Sequence, residues 1–149
     1  MYAYRDRPER INTRAERYVD MSEGQNVSGR TETVEKYEGG TVHVFDDANE
    51  LDDDDTQTEL DAKSGGSTST AAGDWSVSHD TAAGTSELSN DAEVRITGLD
   101  AGTYTQVAIV NDADADQFTY ADIDESETVD EGDELFFESG NLEFTIGGQ

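Results

Sequence analysis

The sequence predicts an all-β protein: an antiparallel β-sandwich, jelly-roll or immunoglobulin-like, with an extended N-terminal arm and one long polar loop. Short segments of alternating apolar and polar residues recur from residue 74 onward, which is the pattern of half-buried strands. Turn-forming residues separate these segments every ~8–12 residues, a spacing typical of sandwiches and barrels. No stretch after residue 20 has a helical apolar period of useful length. We therefore divide the chain into an arm, residues 1–40, and a sandwich domain, residues 41–149.

The arm begins with a segment rich in arginine. Five of the nine basic residues of the chain lie in this segment, namely Arg5, Arg7, Arg10, Arg14 and Arg17. Guanidinium groups pair well with carboxylates, so these arginines are predicted to bind an acidic partner. The alternative is a frayed tail whose arginines pair locally with Asp6, Glu9 and Glu16. Residues 22–37 are predicted to be extended or irregular.

The sandwich domain is predicted to begin with a strand at residues 41–45. The polar stretch at about residues 46–74 contains four consecutive aspartates and a Gly/Ser/Thr run, and it is predicted to be a solvated loop. Residues 103–110 are apolar on both sides, so we expect both faces of that strand to be covered. The other strands are predicted at residues 75–79, 93–97, 117–123, 135–137 and 142–146. The expected core is Val42, Val44, Trp75, Val94, Ile96, Leu99, Tyr104, Val107, Ile109, Phe118, Leu135, Phe137, Leu142, Phe144 and Ile146.

The charge of the chain predicts a protein that folds in concentrated salt. Acidic residues number 36 and basic residues 9, for a formal net charge of -27. In dilute buffer, charge of this size destabilises the compact state by self-repulsion, but molar salt shortens the Debye length to about 3 Å and screens it. Lysine occurs only twice, as expected of a halophilic surface. A disordered acidic chain is the alternative, and the strand patterning of the C-terminal half argues against it.

Composition also excludes several classes of function. The chain has no cysteine, and therefore no disulfide or thiolate chemistry. The acidic surface argues against nucleic acid as a partner, because binding phosphates needs a basic face. No segment approaches the ~18 apolar residues of a membrane span, and the first residues lack the apolar centre of a signal peptide. We expect a soluble protein, made in the cytoplasm, with no nucleic-acid or membrane partner.

One aspartate triplet has the spacing of a calcium-binding loop. Asp112, Asp114 and Asp116 alternate as at the start of an EF-hand loop, which makes them candidate metal ligands. The sixth position of the loop is Gln117 instead of glycine, and the twelfth is Ile123 instead of glutamate. The alternative is a solvated hairpin tip in a chain whose loops are rich in aspartate.

The residues that most often carry catalysis are sparse. His43 and His79 are the only histidines, and nothing near either one in the sequence completes a catalytic triad or a metal site. With 36 acidic residues, pairs of carboxylates carry no information about catalysis. We therefore expect no enzymatic activity and no cofactor.

The last third of the chain resembles a known family of structural proteins. Residues 96–112 give a strand, a glycine turn, a second strand and a polar loop. Residues 128–146 add Gly132-Asp133, an aromatic strand, Gly140-Asn141-Leu142 and a final strand. This order resembles the end of small tail-fibre-like or minor virion proteins of tailed phages. The resemblance implies a virion part without catalytic residues, a chain reversal at Gly132-Asp133, and a hairpin formed by the last two strands.

The same region also resembles a second class of module. Leu99, Gly102 and Tyr104 are spaced as in the corner of immunoglobulin-like sandwiches, where a tyrosine hydroxyl fixes a loop. Surface-layer and secreted proteins of haloarchaea use such modules. The predicted function is therefore a structural component of a haloarchaeal tailed-virus virion, either a capsid decoration or turret subunit or a tail accessory protein. It would form a homo-oligomer and dock on other virion proteins through its arginines. The alternative is a cell-surface or secreted binding module of a halophilic archaeon.

Overall fold

The computed structural model describes residues 25–147, and these form a predominantly β structure in which every strand pairing is antiparallel. The predicted all-β class is confirmed at this level. The two α-helices are α1 (Val27–Glu35) and α2 (Gln57–Lys63). The strands are β1 (Val42–Asp46), β2 (Gly66–Thr68), β3 (Trp75–Asp80), β4 (Thr85–Asn90), β5 (Val94–Ile96), β6 (Gly102–Val110), β7 (Phe118–Val129), β8 (Leu135–Phe137) and β9 (Glu143–Gly147).

The strands form three sheets around a shared core. A four-stranded sheet has the order β2-β1-β6-β7, a three-stranded sheet has the order β9-β4-β3, and β5 pairs with β8. The main core contains buried residues from all three sheets and Val34 from α1. Every residue of the predicted core is buried except Phe118, Phe137 and Ile146, which are partly buried.

The hairpin that the family resemblance implies for the last two strands is wrong. Strand β8 pairs with β5, whereas β9 pairs with β4. The connection between the two strands is held by the buried Asn90, whose side chain binds backbone groups at both ends of it. Its amide nitrogen lies 3.0 Å from the Glu138 carbonyl oxygen, and its amide oxygen accepts from the Leu142 N–H at 2.9 Å. The turn predicted at Gly132 is present, with φ of 89° and its N–H donating to the Leu99 carbonyl at 2.7 Å.

Helix α1 corrects the prediction that residues 22–37 are extended or irregular, and it places structure inside the predicted arm. Asn26 caps the helix by accepting from the Gly29 N–H at 2.9 Å. The helix has little apolar surface, so its amphipathic pattern is weak and tertiary contacts stabilise it. It packs against the three-stranded sheet, where the buried Arg30 donates from Nε to Ser86 Oγ at 2.9 Å.

The predicted loop at residues 46–74 is partly ordered, which corrects its description as a solvated loop. Besides α2 and β2, it contains a 3-10 turn at Ala72–Asp74. The Glu59 carboxylate accepts from the Thr56 N–H at 2.7 Å and so supports the start of α2. Leu60 of α2 is buried in a second core with Phe45, Leu51, Ala108 and Val110. This second core covers the outer face of β6, so the prediction that both faces of this strand are covered is confirmed.

The predicted tyrosine corner is also present. The buried Tyr104 hydroxyl donates to the Asp100 carbonyl oxygen at 2.7 Å and fixes the loop before β6. Gly65 approaches this ring so closely that a Cβ built on it would lie 2.2 Å from the tyrosine oxygen. The corner therefore requires glycine at that position, which the sequence pattern alone did not indicate.

Candidate docking groove

A groove of about 370 Å³ opens beside β7, the outer strand of the four-stranded sheet. We call it the acidic groove. It is lined by Tyr104, Val107, Ala121, Asp122, Ile123, Asp124, Glu125, Glu127, Leu135, Phe136, Phe137, Asn141, Leu142 and Glu143. These residues come from β6, from β7, from β8, and from the connection that leads to the first residue of β9.

A bulge in β7 forms one wall of the groove. Asp122 pairs with Gln106 and Glu127 pairs with Tyr104, so residues 123–126 of β7 stand opposite the single residue Thr105 of β6. Bulges of this kind bend a strand and redirect its side chains, and they often lie at strand edges and binding sites. Because β7 is an edge strand, its outer backbone has no strand neighbour within residues 25–147.

The floor of the groove is apolar. Val107, Leu135 and Leu142 are buried members of the main core, and Ile123 and Phe137 are partly buried against it. A floor of this kind accepts apolar or aromatic side chains, or the methylene stem of a long basic residue.

An exposed aromatic residue forms the opposite wall. Phe136 is 47% exposed, the largest exposure among the large hydrophobic side chains of residues 25–147. The Arg95 guanidinium lies 4.9 Å from the centre of its ring. Arg95 is itself paired with Glu93 at 3.1 Å and with Glu134. The hydrogen bond to Glu93 and the charge of Glu134 raise the pKa of Arg95 above its ordinary value.

The rim of the groove is strongly negative. Its five carboxylates are Asp122, Asp124, Glu125, Glu127 and Glu143, and all five side chains are exposed. No arginine, lysine or histidine is among the lining residues of the described chain. Carboxylates around an apolar floor fit guanidinium groups, which bind carboxylates with two parallel hydrogen bonds and tolerate an apolar surrounding. The site is therefore suited to a basic peptide that also carries apolar side chains.

The structure does not bring the predicted metal ligands together as one ligand set. Asp112 accepts hydrogen bonds from Thr41, with its N at 3.2 Å and its Oγ1 at 3.1 Å. Asp114 accepts from the Asp116 N–H at 3.3 Å, and Asp116 accepts from the Gln57 N–H at 3.0 Å. Asp114 thus supports backbone within the β6–β7 turn, whereas Asp112 and Asp116 tie this turn to the start of β1 and to the start of α2. Calcium binding at this turn stays a prediction.

A different acidic group does cluster. Within residues 25–147, the one set of three acidic side chains whose ligand atoms all lie within 4.8 Å of one another is Asp52, Asp54 and Asp55. Lys63 lies in this cluster, with its Nζ 2.7 Å from Asp55 and 3.6 Å from Asp52. The hydrogen bond from Lys63 lowers the pKa of Asp55. A lysine therefore already neutralises part of the charge of this cluster.

The two histidines hold elements of the fold together. Ser64 donates its hydroxyl proton to the Gly66 carbonyl at 3.1 Å, so His43 Nδ1, 2.8 Å from Ser64 Oγ, is the donor in that contact. Burial lowers the pKa of His43. His79 Nδ1 lies 2.7 Å from Ser86 Oγ, the same oxygen that accepts from Arg30. Each histidine thus joins neighbouring elements through a serine.

The predicted partner-binding arginines Arg5, Arg7, Arg10, Arg14 and Arg17 lie outside the described residues. The sequence reasoning missed the acidic groove, although the run Asp122-Ile-Asp-Glu-Ser-Glu127 breaks the alternation of a strand and could have indicated it. Within residues 25–147, no helix has the length and apolar character needed to cross a bilayer. We found no family model, curated protein or solved structure that matches this chain.

Proposed function

We propose that this chain is a non-enzymatic structural component of the virion of a haloarchaeal tailed virus, either a capsid decoration or turret subunit or a tail accessory protein. Its partners are other virion proteins and further copies of itself, and it attaches to acidic neighbours through residues 1–17, which we call the Arg-rich segment. The observation that carries the proposal is the acidic groove. A chain with both a basic segment and an acidic, partly apolar groove has two complementary surfaces for assembly.

We further propose that the body of this subunit is a β-sandwich. The three-stranded and four-stranded sheets both contribute to the main core. Trp75 and Phe144 of the smaller sheet lie 6.3 Å apart between ring centres, and both belong to the same buried cluster as Val107 of the larger sheet. Two antiparallel sheets that share one apolar core match the general design of a sandwich.

The hydrogen bonds of the two histidines support the proposal that the chain is not an enzyme. His43 and His79 each contact a serine that also bonds to a second group of the fold. Ser86 is 1% exposed, so a substrate would not reach its hydroxyl. Both histidines and their serine partners are thus engaged in contacts that hold the fold together.

The halophilic setting has its own test. The net charge of -27 predicts that the fold loses stability as salt is removed, because repulsion between carboxylates is no longer screened. Circular dichroism should show the β signal at molar salt and its loss at low ionic strength. A cooperative fold that persists in low salt would contradict the halophilic part of the proposal.

The role in a virion is tested by particle incorporation. Particles are assembled with the full-length chain, with a chain that lacks residues 1–20, and with a chain in which the five arginines of the Arg-rich segment are replaced by glutamine. Lys36→Gln is the control, since it removes an exposed positive charge at the end of α1. We expect both arm variants, but not the control, to be lost from purified particles. Equal incorporation of all four chains would refute docking through the arginines.

A cell-surface or secreted binding module is the second candidate. The Tyr104 hydroxyl bond to the Asp100 carbonyl favours it, because immunoglobulin-like sandwiches use such a corner. Antibody labelling separates the two candidates. Detection of the chain on the surface of uninfected cells would favour the module, and detection in particles alone would favour the virion component.

A further inference from the structure

We propose that the acidic groove of one copy of this chain binds the Arg-rich segment of a second copy, so that copies assemble head to tail. The inference takes one point from the proposed function, namely that copies of the chain assemble with one another. It names the partner of the groove and the residues on each side of the contact.

The first argument is the distribution of basic residues. Outside the Arg-rich segment, the chain has four basic residues, Arg30, Lys36, Lys63 and Arg95. Arg30 is buried, Lys63 pairs with Asp55, and Arg95 pairs with Glu93. The Arg-rich segment is thus the one concentrated source of positive charge in the sequence, and the rim of the groove presents five exposed carboxylates to such a segment.

The second argument is the match between the groove and the other residues of the segment. Tyr2 and Tyr4 precede Arg5 in the sequence. Tyrosine rings suit a floor of buried aliphatic residues beside the exposed ring of Phe136, and aromatic pairs gain more than their buried area alone. A neutral or acidic peptide would lack the attraction to the rim, and a second β7 edge would bring two acidic strands together.

The third argument is reach. Helix α1 lies near the end of β9, where the Arg30 side chain approaches Gly147, whereas Glu143 at the start of the same strand lines the groove. The two places are the two ends of one five-residue strand, roughly 14 Å apart. The residues that precede Gln25 span up to about 80 Å when extended. This length is sufficient to reach the groove of a neighbour as well as the groove of the same copy, and the mixing experiment below separates the two contacts.

The contact is heterologous, because a different surface of each copy takes part. Such contacts close into rings when the rotation between copies permits it and otherwise continue as filaments. Each copy then uses both its own groove and its own segment, except at the ends of an open assembly. In a closed ring the last contact forms within the assembly, which supplies avidity that a single set of exposed ion pairs does not.

The test uses full-length protein at the lowest salt concentration at which circular dichroism still shows the fold, because salt also weakens exposed ion pairs. Mass is measured by light scattering across a concentration series. The groove variant carries Asp124→Asn, Glu125→Gln and Glu127→Gln, and the segment variant carries glutamine at the five arginines. The matched control carries Glu32→Gln, Asp54→Asn and Asp61→Asn, three exposed acids that do not line the groove. We expect the groove and segment variants each to weaken self-association by about tenfold or more, as for the loss of three ion pairs, and the control to associate like the unmodified chain.

Mixing the two variants distinguishes a contact between copies from one within a copy. The groove variant still has an intact segment, and the segment variant still has an intact groove, so the mixture should form a heterodimer that is tighter than the self-association of either variant alone. A mixture that stays monomeric, or an unmodified chain that is monomeric at every concentration, would overturn the inference.

Particle incorporation keeps this inference separate from the proposed function. If the unmodified chain is monomeric in solution but enters particles through its arginines, the proposed function stands and the contact between copies is refuted. If the chain assembles with itself as described but is absent from particles, the contact stands and the virion role is refuted.

Discussion

Asn90→Ala is expected to destabilise the protein strongly, because Asn90 is a buried polar residue that binds backbone groups of a distant connection. The Asn90 side chain is 1% exposed, and its amide oxygen accepts from the Leu142 N–H at 2.9 Å while its amide nitrogen lies 2.9 Å from the Ala92 carbonyl oxygen. Alanine removes these contacts, together with the one to the Glu138 carbonyl oxygen, and leaves the buried Leu142 N–H without its acceptor. An orphaned buried donor costs ~1–3 kcal/mol, and the space left by the amide adds about 1 kcal/mol.

The expected loss is therefore about 2–4 kcal/mol, a large part of the ~5–15 kcal/mol stability of an ordinary domain. Urea unfolding in molar salt, followed through the fluorescence of the buried Trp75, measures this loss. Asn141→Ala is the matched control, since Asn141 is an exposed asparagine in the β8–β9 connection that Asn90 contacts. This control should change the free energy of unfolding by less than about 0.5 kcal/mol. If the two variants lose equal stability, the Asn90 side chain does not anchor the β8–β9 connection in the way described.

Three further predictions concern the fold and its ionisable groups. Burial lowers the pKa of His43 below 6.5, so the unfolded state binds more protons than the folded state as pH falls through 6.5. The urea midpoint should therefore decrease over this pH range, and His43→Gln should remove the contribution of His43 to that decrease. Gly65→Ala should cost about 1–3 kcal/mol in urea unfolding because the added Cβ meets the Tyr104 ring. Gly73→Ala, whose Cβ has open space, should cost little, and equal effects of the two variants would contradict the close packing of Gly65 on Tyr104. The hydrogen bond to Asp53 raises the pKa of Tyr120 to about 12, so Asp53→Asn should shift one phenol in an ultraviolet titration back toward 10, and an unchanged curve would refute that contact.

Local patterns located most of the strands because their cause is local. Alternation over residues 93–97 and 142–146 requires one face to be buried, and the structure forms β5 and β9 there. Strand β4 was missed since Leu88 is its one large apolar residue, and the other two inward positions hold Ser86 and Asn90. These two polar residues are buried because each has hydrogen-bond partners in distant segments, which no local pattern reveals.

Both helices escaped prediction for the same reason. Helix α1 has a buried arginine and a single buried apolar residue, and α2 buries only Leu60. Short helices with so little apolar surface are marginal alone, and packing on the body stabilises them. The acidic groove was missed because it depends on the register between β6 and β7, where the bulge shifts the pairing.

The sequence alone determined the features that depend on composition and short range: the acidic charge, the lack of cysteine, the β class and the turn at Gly132. The tertiary structure decided which strands pair, where the two helices pack, and which carboxylates stand around one apolar floor. The reason is physical. Propensity and turn geometry act between neighbours along the chain, whereas pairing and burial depend on contacts between residues that are far apart in sequence.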